Sequence, residues 1–459
     1  MPFKIQGHNA VDVDADATHN ALHTVVKGTP LVTLDRDSVF VDAFGRLRVS
    51  EPRILFESSF ANDVPATLFD MAAYGAGTKT ANTTAFQTEL NTTTASGTGY
   101  WIQAWNHVRY APGISSLVRF TFNFNLLLAN LTSRVGIFTD QGTFPSAQGD
   151  GIFLEAAGTG VNIVVRSLTG GGAGAEERVA QASWNLDTMD GAGASGVSLN
   201  WTLSQHVVIE YQWLGVGTIR VGFETSSGTV WAHYFSKANA IAGAWSRTGS
   251  MPIRAECFTT GITVSAGKLT LLNCVQLQEG DVAEYRGYRY RSATSGATAK
   301  LGGAAAGLYP LVSIRSATTN DVTKRALIIP TRISLFVSVA ASAGATLQWA
   351  LIWGPAVLTG ATFAALTTDA VEVDTAATAA TAVTGGVVLF SGVLAYYVIG
   401  PTEIDLSNYK DNLLRIAQNA AGSLTTTGNN VLTLAAGPLT GAGATGATLV
   451  ASLSWKEIV

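Results

Sequence analysis

The residues in this chain best suited to chemistry are carboxylates gathered in one stretch. Asp140, Asp150 and Glu155 lie within FTDQGTFPSAQGDGIFLEA, and Glu176 and Glu177 follow further along the chain. Paired carboxylates can cleave a glycosidic bond, one as general acid and the other as base or nucleophile. The spacing along the chain does not give the separation of these groups in space. We expect all five to be exposed loop carboxylates.

A second unusual stretch is VDAFGRLRVSEP, from Val41 to Pro52. Asp42 and Gly45 fit the first and last positions of a type I turn, which predicts a β-hairpin. Arg46 and Arg48 then share one face and could clamp carboxylates of the same chain or of a neighbour. Since a lone hairpin is barely stable in water, we expect it to pack on the next domain or on another subunit. The candidate assembly contacts are Asp42, Phe44, Gly45, Arg46 and Arg48.

The motifs that could bind metal are incomplete. The aspartates of DVDAD, residues 12–16, start like a calcium loop, but its sixth and twelfth positions hold Ala17 and His23 instead of Gly and Glu. His19 and His23 have the spacing of two ligands on one helix face, yet their surroundings, ATHNALHTVVKG, are polar and no glutamate lies between them. We predict a solvated acidic arm and no metal site.

Two Gly-rich stretches match the dinucleotide pattern GxGxxG, at residues 191–196 and 441–446. That pattern binds a pyrophosphate only where a helix follows it, and here strand-like sequence follows both copies. We therefore predict two loops and no cofactor. The sequence contains no GxSxG elbow and no recognisable Ser/His/Asp set, so we nominate no catalytic residue.

Composition narrows the class of protein. Charged residues make up 13% of the 459 residues, the net charge is −4 and there is no Lys/Arg run, which argues against nucleic-acid binding. No stretch of 18 apolar residues occurs and the N-terminus has no apolar signal-peptide core, so we expect no membrane insertion and no secretory leader. Cys257 and Cys274 are predicted to be buried free thiols. The 47% apolar content, with ten Trp and nineteen Phe, indicates a packed protein.

Apolar residues recur at every second position, which predicts an all-β fold of half-buried antiparallel strands. In LVRFTFNFN the apolar set is Val118, Phe120, Phe122 and Phe124. HVVIEYQW and TIRVGF continue the pattern, and residues 214–217 between them read as a hairpin turn. RISLFVSV, TLQWALIW and TLVASLSW repeat it near the C-terminus. The best helix candidate, residues 407–421, reads equally well as a strand.

Changes in composition divide the chain into four parts. Residues 1–52 form a polar arm that ends in the hairpin, residues 53–290 a large antiparallel β-sandwich, residues 291–310 a linker of small residues, and residues 311–459 a second β-sandwich or jelly-roll-like domain. The arm has no core of its own. Arms of this kind often pass between subunits of a symmetric assembly.

The hairpin stretch also carries a family resemblance. VFVDAFGRLRVSEPRILFESS resembles the N-terminal signature of a family of virion structural proteins of tailed bacteriophages. RVGIFTDQGTFPSAQGDGIFLEAAGTGVNIVVRS is similar to a strand pair of that family, with an insertion after Asp140. SWNLDTMDGAGASGVSLNWTLSQHVVIEYQWLGVGTIRVGF and MPIRAEC resemble its next segments. The match runs from about residue 39 to 260, and KRALIIPTRISLFVS and LSWKEIV resemble the tail half with less specific motifs.

The resemblance implies a non-enzymatic particle component with a laminin-G- or lectin-like sandwich and no catalytic residues. The resemblance does not decide whether the component lies in the baseplate, the tail fibre, the neck or the head surface. We expect localisation in the virion after assembly in the bacterial cytoplasm, other virion proteins as partners, and a homo-oligomer, by analogy with phage fibres and decorations a trimer. One alternative is a receptor-binding fibre that recognises host-surface glycans. A third reading is a depolymerase that uses Asp150 or Glu155.

Overall fold

We describe the fold from a computed structural model of the chain. It describes the following residues: 4–5, 11–12, 15–16, 21–22, 52–66, 68–104, 106–108, 110–139, 144–145, 149–169, 175–226, 228–279, 288–295, 307–316, 327–339, 346–355, 358, 361–365, 371–375, 382–394, 402–406, 431–439 and 448–458.

The chain divides into two units, Met1–Val49 and Ser50–Val459. In the first unit the described residues form two short antiparallel ribbons. One pairs β1 (Lys4–Ile5) with β2 (Val11–Asp12), and the other pairs β3 (Ala15–Asp16) with β4 (Ala21–Leu22).

The first part of the second unit contains two large antiparallel sheets. One has the order β17-β16-β15-β10-β19-β8-β7, with β5 also paired to β19, and the other has the order β14-β13-β12-β11-β18-β9-β6. A single 3-10 turn, Gln181–Ser183, is the one helical element among the described residues of this part. The strands are β5 (Pro52–Ser59), β6 (Phe69–Tyr74), β7 (Thr78–Asn82), β8 (Gln87–Asn91), β9 (Gly99–Ala104), β10 (Ser116–Asn123), β11 (Leu131–Phe138), β12 (Gly151–Ala157), β13 (Gly160–Ser167), β14 (Ala175–Ala180), β15 (Gln205–Tyr211), β16 (Ile219–Thr225), β17 (Gly228–Phe235), β18 (Ile253–Thr259) and β19 (Lys268–Glu279).

The two sheets enclose one hydrophobic core, as the period of two predicts. Alternate residues of each strand point inward, and both sheets contribute to the same cluster of buried side chains. The predicted inward set is confirmed, because Val118, Phe120 and Phe122 of β10 and Phe124, which follows the strand, are all fully buried. The predicted turn at residues 214–217 is also confirmed, since the Gly217 N–H donates to the Trp213 carbonyl over 2.8 Å and closes the β15–β16 hairpin.

The second part of this unit is another sandwich. Its sheets have the orders β20-β29-β22-β27 and β24-β25-β21-β28-β23-β26, and both line a second buried cluster. The all-β prediction is therefore confirmed, including the three C-terminal strands read from alternation. The strands are β20 (Tyr288–Thr294), β21 (Tyr309–Ser316), β22 (Leu327–Val339), β23 (Leu347–Trp353), β24 (Ala364–Ala365), β25 (Val371–Asp374), β26 (Val387–Leu394), β27 (Thr402–Asp405), β28 (Val431–Pro438) and β29 (Thr448–Ile458).

Two details bear on the predicted boundaries. Residues 291–294, the start of the predicted linker, belong to β20 and pair with β29. Their alternation of apolar and polar residues is too short to predict a strand, because a run of small residues follows. The long strand β29 provides the backbone hydrogen-bonding partner. The ambiguous segment 407–421 lies outside the described residues.

Both sandwiches are completed by their last two strands. β18 lies between β11 and β9, and β19 lies between β10 and β8. In the C-terminal sandwich β28 lies between β21 and β23, and β29 lies between β20 and β22. In each sandwich the final two strands therefore take interior positions, one in each sheet.

Candidate functional site

The outer face of the seven-stranded sheet carries a row of opposite charges. Arg134 on β11 lies directly opposite Glu256 on β18 and Glu155 on β12. The Arg134 Nη1 donates to Glu256 Oε1 over 2.8 Å, and its Nε donates to Glu155 Oε2 over 2.7 Å. We call these three residues the arginine–glutamate row. Their side chains are at most 9% exposed, so the row is a buried ionic structure on a face that alternation alone predicts to be solvated.

Two more arginines complete the hydrogen bonds of the row. Arg254 Nε donates to Glu256 Oε2 over 2.9 Å, and Arg178 Nε donates to Glu155 Oε1 over 2.9 Å. Each glutamate therefore accepts hydrogen bonds from two guanidinium groups, as a buried carboxylate needs.

The network continues along β13 and β14. Arg166 Nε donates to Glu176 Oε1 over 2.9 Å, and Arg178 Nη2 donates to Glu176 Oε2 over 2.8 Å. Arg178 thus bridges Glu155 and Glu176 and ties the edge strand β14 to the row.

Aromatic rings lie against these guanidinium groups. The Arg166 guanidinium carbon is 4.6 Å from the Phe153 ring centre, and that of Arg254 is 4.7 Å from the Trp101 ring centre. Phe144 packs edge-on against Phe258, with ring centres 5.2 Å apart, and also touches Tyr74 at 5.5 Å. The rings therefore cover the arginines and reduce their contact with water, which strengthens the ion pairs beneath them.

Neighbouring guanidinium groups lower the pKa of two carboxylates of this network, Glu256 and Glu176. Burial by itself would raise the pKa of Glu256, but the nearby Arg254 and Arg134 guanidinium groups outweigh it and hold that pKa below its ordinary value. Burial likewise opposes ionisation of Glu176, whose pKa is nevertheless lowered by Arg166 and Arg178. A glycosidase general acid needs the opposite, a raised pKa. These carboxylates are suited to ion pairing rather than to proton donation.

The expectation of exposed loop carboxylates is wrong for Asp150 and Glu155, which are 0% and 1% exposed. Asp150 precedes β12, where its Oδ1 accepts the Leu168 N–H over 2.8 Å and its Oδ2 accepts from Arg247 Nε over 2.9 Å. Partners that are distant in the sequence thus surround Asp150, although the sequence around it is typical of a loop. Glu176 and Glu177 lie on strand β14 and not in a loop; Glu176 is half-buried and Glu177 is exposed. Asp140 lies outside the described residues.

A smaller ionic pair lies on the outer face of the eight-stranded sheet. Glu210 on β15 lies opposite Arg220 on β16, and the Arg220 Nε donates to Glu210 Oε2 over 2.6 Å. Glu210 also accepts the Ser115 hydroxyl over 2.9 Å, and the Arg220 guanidinium lies 4.1 Å from the Trp231 ring centre. Both sheets therefore use the same arrangement of a paired glutamate, an arginine and an aromatic ring.

An open groove of about 910 Å³ lies beside β5, β10 and β19. Its apolar lining includes Ile54, Leu68, Leu117 and Leu277, and Glu57 and Arg119 supply charges. The carboxylates of the arginine–glutamate row do not line this groove, but Glu57 does, beside the polar Ser58, Ser59 and Asn273.

The residues nominated from the hairpin, Asp42, Phe44, Gly45, Arg46 and Arg48, all lie outside the described residues, and so do His19 and His23. Sequence reasoning missed Arg134, Glu256 and their arginine partners. The available signal was a charge inside an otherwise apolar strand, as in LTSRVGIF and IRAECFT.

Both cysteine thiols are buried. Cys257 and Cys274 are free and buried, as predicted, and burial raises the pKa of Cys257 to about 12. Within the described part of the chain, no group of three or more His, Cys, Asp or Glu side chains is arranged to hold a metal ion. No helix among the described residues has the length and apolarity to cross a membrane.

No family model matches the chain, and no curated protein matches it. Among solved structures, the chain is similar to an endo-1,3-beta-glucanase from Streptomyces sioyaensis, with 10% identity and a TM-score of 0.35 over 50% of this chain and 97% of that one. It is similar to the carbohydrate recognition domain of Emp47p, with 9% identity and a TM-score of 0.33 over 50% and 98%. A carbohydrate esterase from Shiga toxin-encoding bacteriophage phi24B gives 8% identity and a TM-score of 0.30 over 50% and 100%. Identities and TM-scores this low support no inference about function.

Proposed function

We propose that this chain is a non-enzymatic structural protein of a tailed-bacteriophage particle, which assembles through its N-terminal arm and the surfaces of its β-sandwiches. The long motifs around VFVDAFGRLRVSEP supply the virion part of the proposal. The non-enzymatic part of the proposal rests on the arginine–glutamate row. Its two glutamates, which include the catalytic candidate Glu155, are buried and paired with arginines.

The geometry of the row supports a scaffold in two ways. First, Glu155 and Glu256 each accept charge-assisted hydrogen bonds from two guanidinium groups, so neither is positioned to donate a proton to a leaving group. Second, Phe153 and Phe258 lie against the Arg134 guanidinium and are buried, so these rings are not free to stack on a sugar. Both features stabilise the sheet and leave no reactive group on the part of this face that they occupy.

The test is electron microscopy of purified virions labelled with an antibody raised against this chain. Label on the head, neck or baseplate supports the proposal. Label restricted to fibres or the tail tip selects the alternative form, a receptor-binding fibre, and binding to host polysaccharide should then be measured. Virions that carry no label, although the antibody detects the chain in the infected cell, would overturn the proposal.

A further inference from the structure

One end of the first sandwich presents apolar side chains to solvent. The loop that joins β18 to β19, residues 260–267, reads TGITVSAG, and Ile262 and Val264 on it are 78% and 92% exposed. Thr263, which lies between them, is buried. A folded protein normally places the apolar residues inward and the threonine outward. Two exposed apolar side chains on one loop, with the polar residue inside, point to a binding surface.

Hydrogen bonds hold this loop from both sides. The Thr260 N–H donates to the Asn130 carbonyl over 2.9 Å, and the Asn130 side-chain amide donates to the Ile262 carbonyl over 2.9 Å. On the other side, the Thr263 N–H donates to the Thr94 carbonyl over 3.0 Å. The loop is therefore preorganised, and little further ordering is needed when it binds.

The neighbouring loops extend the same surface. Residues 124–130, FNLLLAN, include Asn130 and the 41% exposed Leu126, and residues 92–98, TTTASGT, include Thr94. We call these two loops and the β18–β19 loop together the uncharged tip, because none of the three contains a charged residue. Every residue of the uncharged tip belongs to the described part of the chain.

The loops at the opposite end of the sandwich do carry charge. Asp150, which precedes β12 there, forms an ion pair with Arg247. The lack of charge is therefore a property of one end of the sandwich rather than of all its loops.

We propose that the uncharged tip binds the surface of a lipid bilayer, with Ile262 and Val264 inserted at the boundary between headgroups and acyl chains. Apolar side chains that protrude from a rigid loop can enter a fluid bilayer without a matching pocket. The lack of charge suits this partner, because an ionised side chain is costly to place in lipid. The contact is made by side chains of surface loops and is distinct from a membrane-spanning segment.

A protein pocket fits the uncharged tip less well. Protein interfaces usually surround an apolar centre with hydrogen bonds and polar contacts. Here the nearest polar side chains are bonded within the tip itself, because the Thr263 hydroxyl donates to the Ser265 carbonyl over 2.8 Å and the Asn130 amide donates to Ile262. The tip therefore offers apolar contact, which is non-directional and matches a bilayer.

This inference goes beyond the virion proposal and does not depend on it. Its experiments use the purified full-length chain and vesicles, whereas the virion proposal is tested on particles. A failure of one is therefore distinguishable from a failure of the other.

The first experiment is flotation of the purified full-length chain with phosphatidylcholine vesicles. Wild type should float with the vesicles, and Ile262→Ser/Val264→Ser should lower the partition coefficient roughly tenfold or more, because two apolar side chains are removed from the lipid. Phe86→Ser/Leu214→Ser is the matched control, since those residues are 66% and 48% exposed on loops at the opposite end. Both double variants should fold like wild type, because all four side chains are exposed.

Binding should persist in high salt and without anionic lipid, because no charge takes part in it. Wild type that does not float would overturn the proposal and favour a protein pocket as the partner. Binding that high salt abolishes, or that the two double variants reduce equally, would also contradict it.

The second experiment locates the contact. A polarity-sensitive fluorophore attached to Val264→Cys should shift its emission to the blue when phosphatidylcholine vesicles are added, because Val264 enters an apolar environment. The same fluorophore on Leu214→Cys should not shift. The native cysteines are buried and should not react. Equal shifts at the two positions, or a shift on Leu214→Cys alone, would show that another surface contacts the lipid and would overturn the proposal.

Discussion

Arg134 and Glu256 face each other across β11 and β18, and the Arg134 Nη1 lies 2.8 Å from the Glu256 Oε1. The two residues are 122 positions apart in the sequence, so this bond joins strands that are distant along the chain. Because Arg134 also bonds Glu155 on its other side, one guanidinium fixes the register of three neighbouring strands. The row is therefore a structural element of the sheet as well as an electrostatic one.

Removing the central arginine should destabilise the first sandwich strongly. Arg134→Met leaves two buried carboxylates short of a partner, and we expect the free energy of unfolding to fall by about 3 kcal/mol. Denaturant unfolding followed by tryptophan fluorescence measures this change. Arg119→Met is the matched control, because its pair with Glu224 is partly exposed and should contribute about 0 to 1 kcal/mol. Equal losses in the two variants would contradict a structural role for the row.

The stability of the first sandwich should decrease in mild acid because of His233. Burial lowers the pKa of His233 to about 4 from 6.5, and its Nδ1 accepts the Asn185 N–H over 3.0 Å. Between those two pH values the unfolded chain binds a proton that the folded chain refuses, so stability falls as pH drops from about 6.5 to about 4. We expect a loss on the order of 1 to 2 kcal/mol once solvent screening is allowed for.

The measurement is urea unfolding at a series of pH values for wild type and His233→Asn, whose side-chain oxygen can still accept the Asn185 N–H. The variant should show a flatter profile between pH 4 and pH 6.5. Above pH 7 the difference between the two proteins should be constant, which is the internal control. Parallel profiles throughout the acid range would show that His233 is not the group responsible.

Purified protein should not shorten host polysaccharide. The substitutions Glu155→Gln and Asp150→Asn should instead lower the stability of the protein. Both carboxylates lie buried against arginines, so either substitution weakens an ion pair. Size-exclusion analysis of polysaccharide after incubation, together with the thermal midpoint of each variant, separates the two effects. Cleavage by wild type that is lost in Glu155→Gln, with its folding intact, would establish the depolymerase reading.

The double change Arg46→Glu/Arg48→Glu should leave both sandwiches folded and weaken attachment to the particle or to other subunits. The predicted hairpin presents both guanidinium groups on one face, so reversing them sets like charges against any carboxylate partner. Incorporation into particles, measured by immunoblotting of purified virions, is the readout. Arg332→Glu is the control, since Arg332 is an exposed residue of β22. Normal incorporation of the double variant would reject the assembly role.

Sequence reasoning succeeded where a local rule was sufficient. Alternation identified the inward set from Val118 to Phe124, and the turn residues identified the loop between β15 and β16. It failed for Glu155 and Asp150, which were expected to be exposed loop carboxylates, because nothing local in the sequence shows their burial. What buries these two side chains is Arg134, Arg178 and Arg247, brought from other strands and loops. The order of the strands in the sheets could not be predicted from the sequence either, because pairing between strands that are distant along the chain leaves no local sequence pattern.

The interior placement of the last two strands has a consequence during synthesis. A ribosome that has released residues up to 250 has made every strand of the first sandwich except β18 and β19, which lie inside the two sheets. Until those arrive, the seven-stranded sheet is divided into two parts and the eight-stranded sheet into three, because β5 pairs only with β19. The sheets of the second sandwich are likewise divided until β28 and β29 are made. Such nascent chains expose apolar strand edges and depend on contacts between distant segments, so they fold late and slowly. A chain cut short before Ile253 should therefore fail to fold and collect in inclusion bodies, whereas a cut between the sandwiches should release a soluble first sandwich.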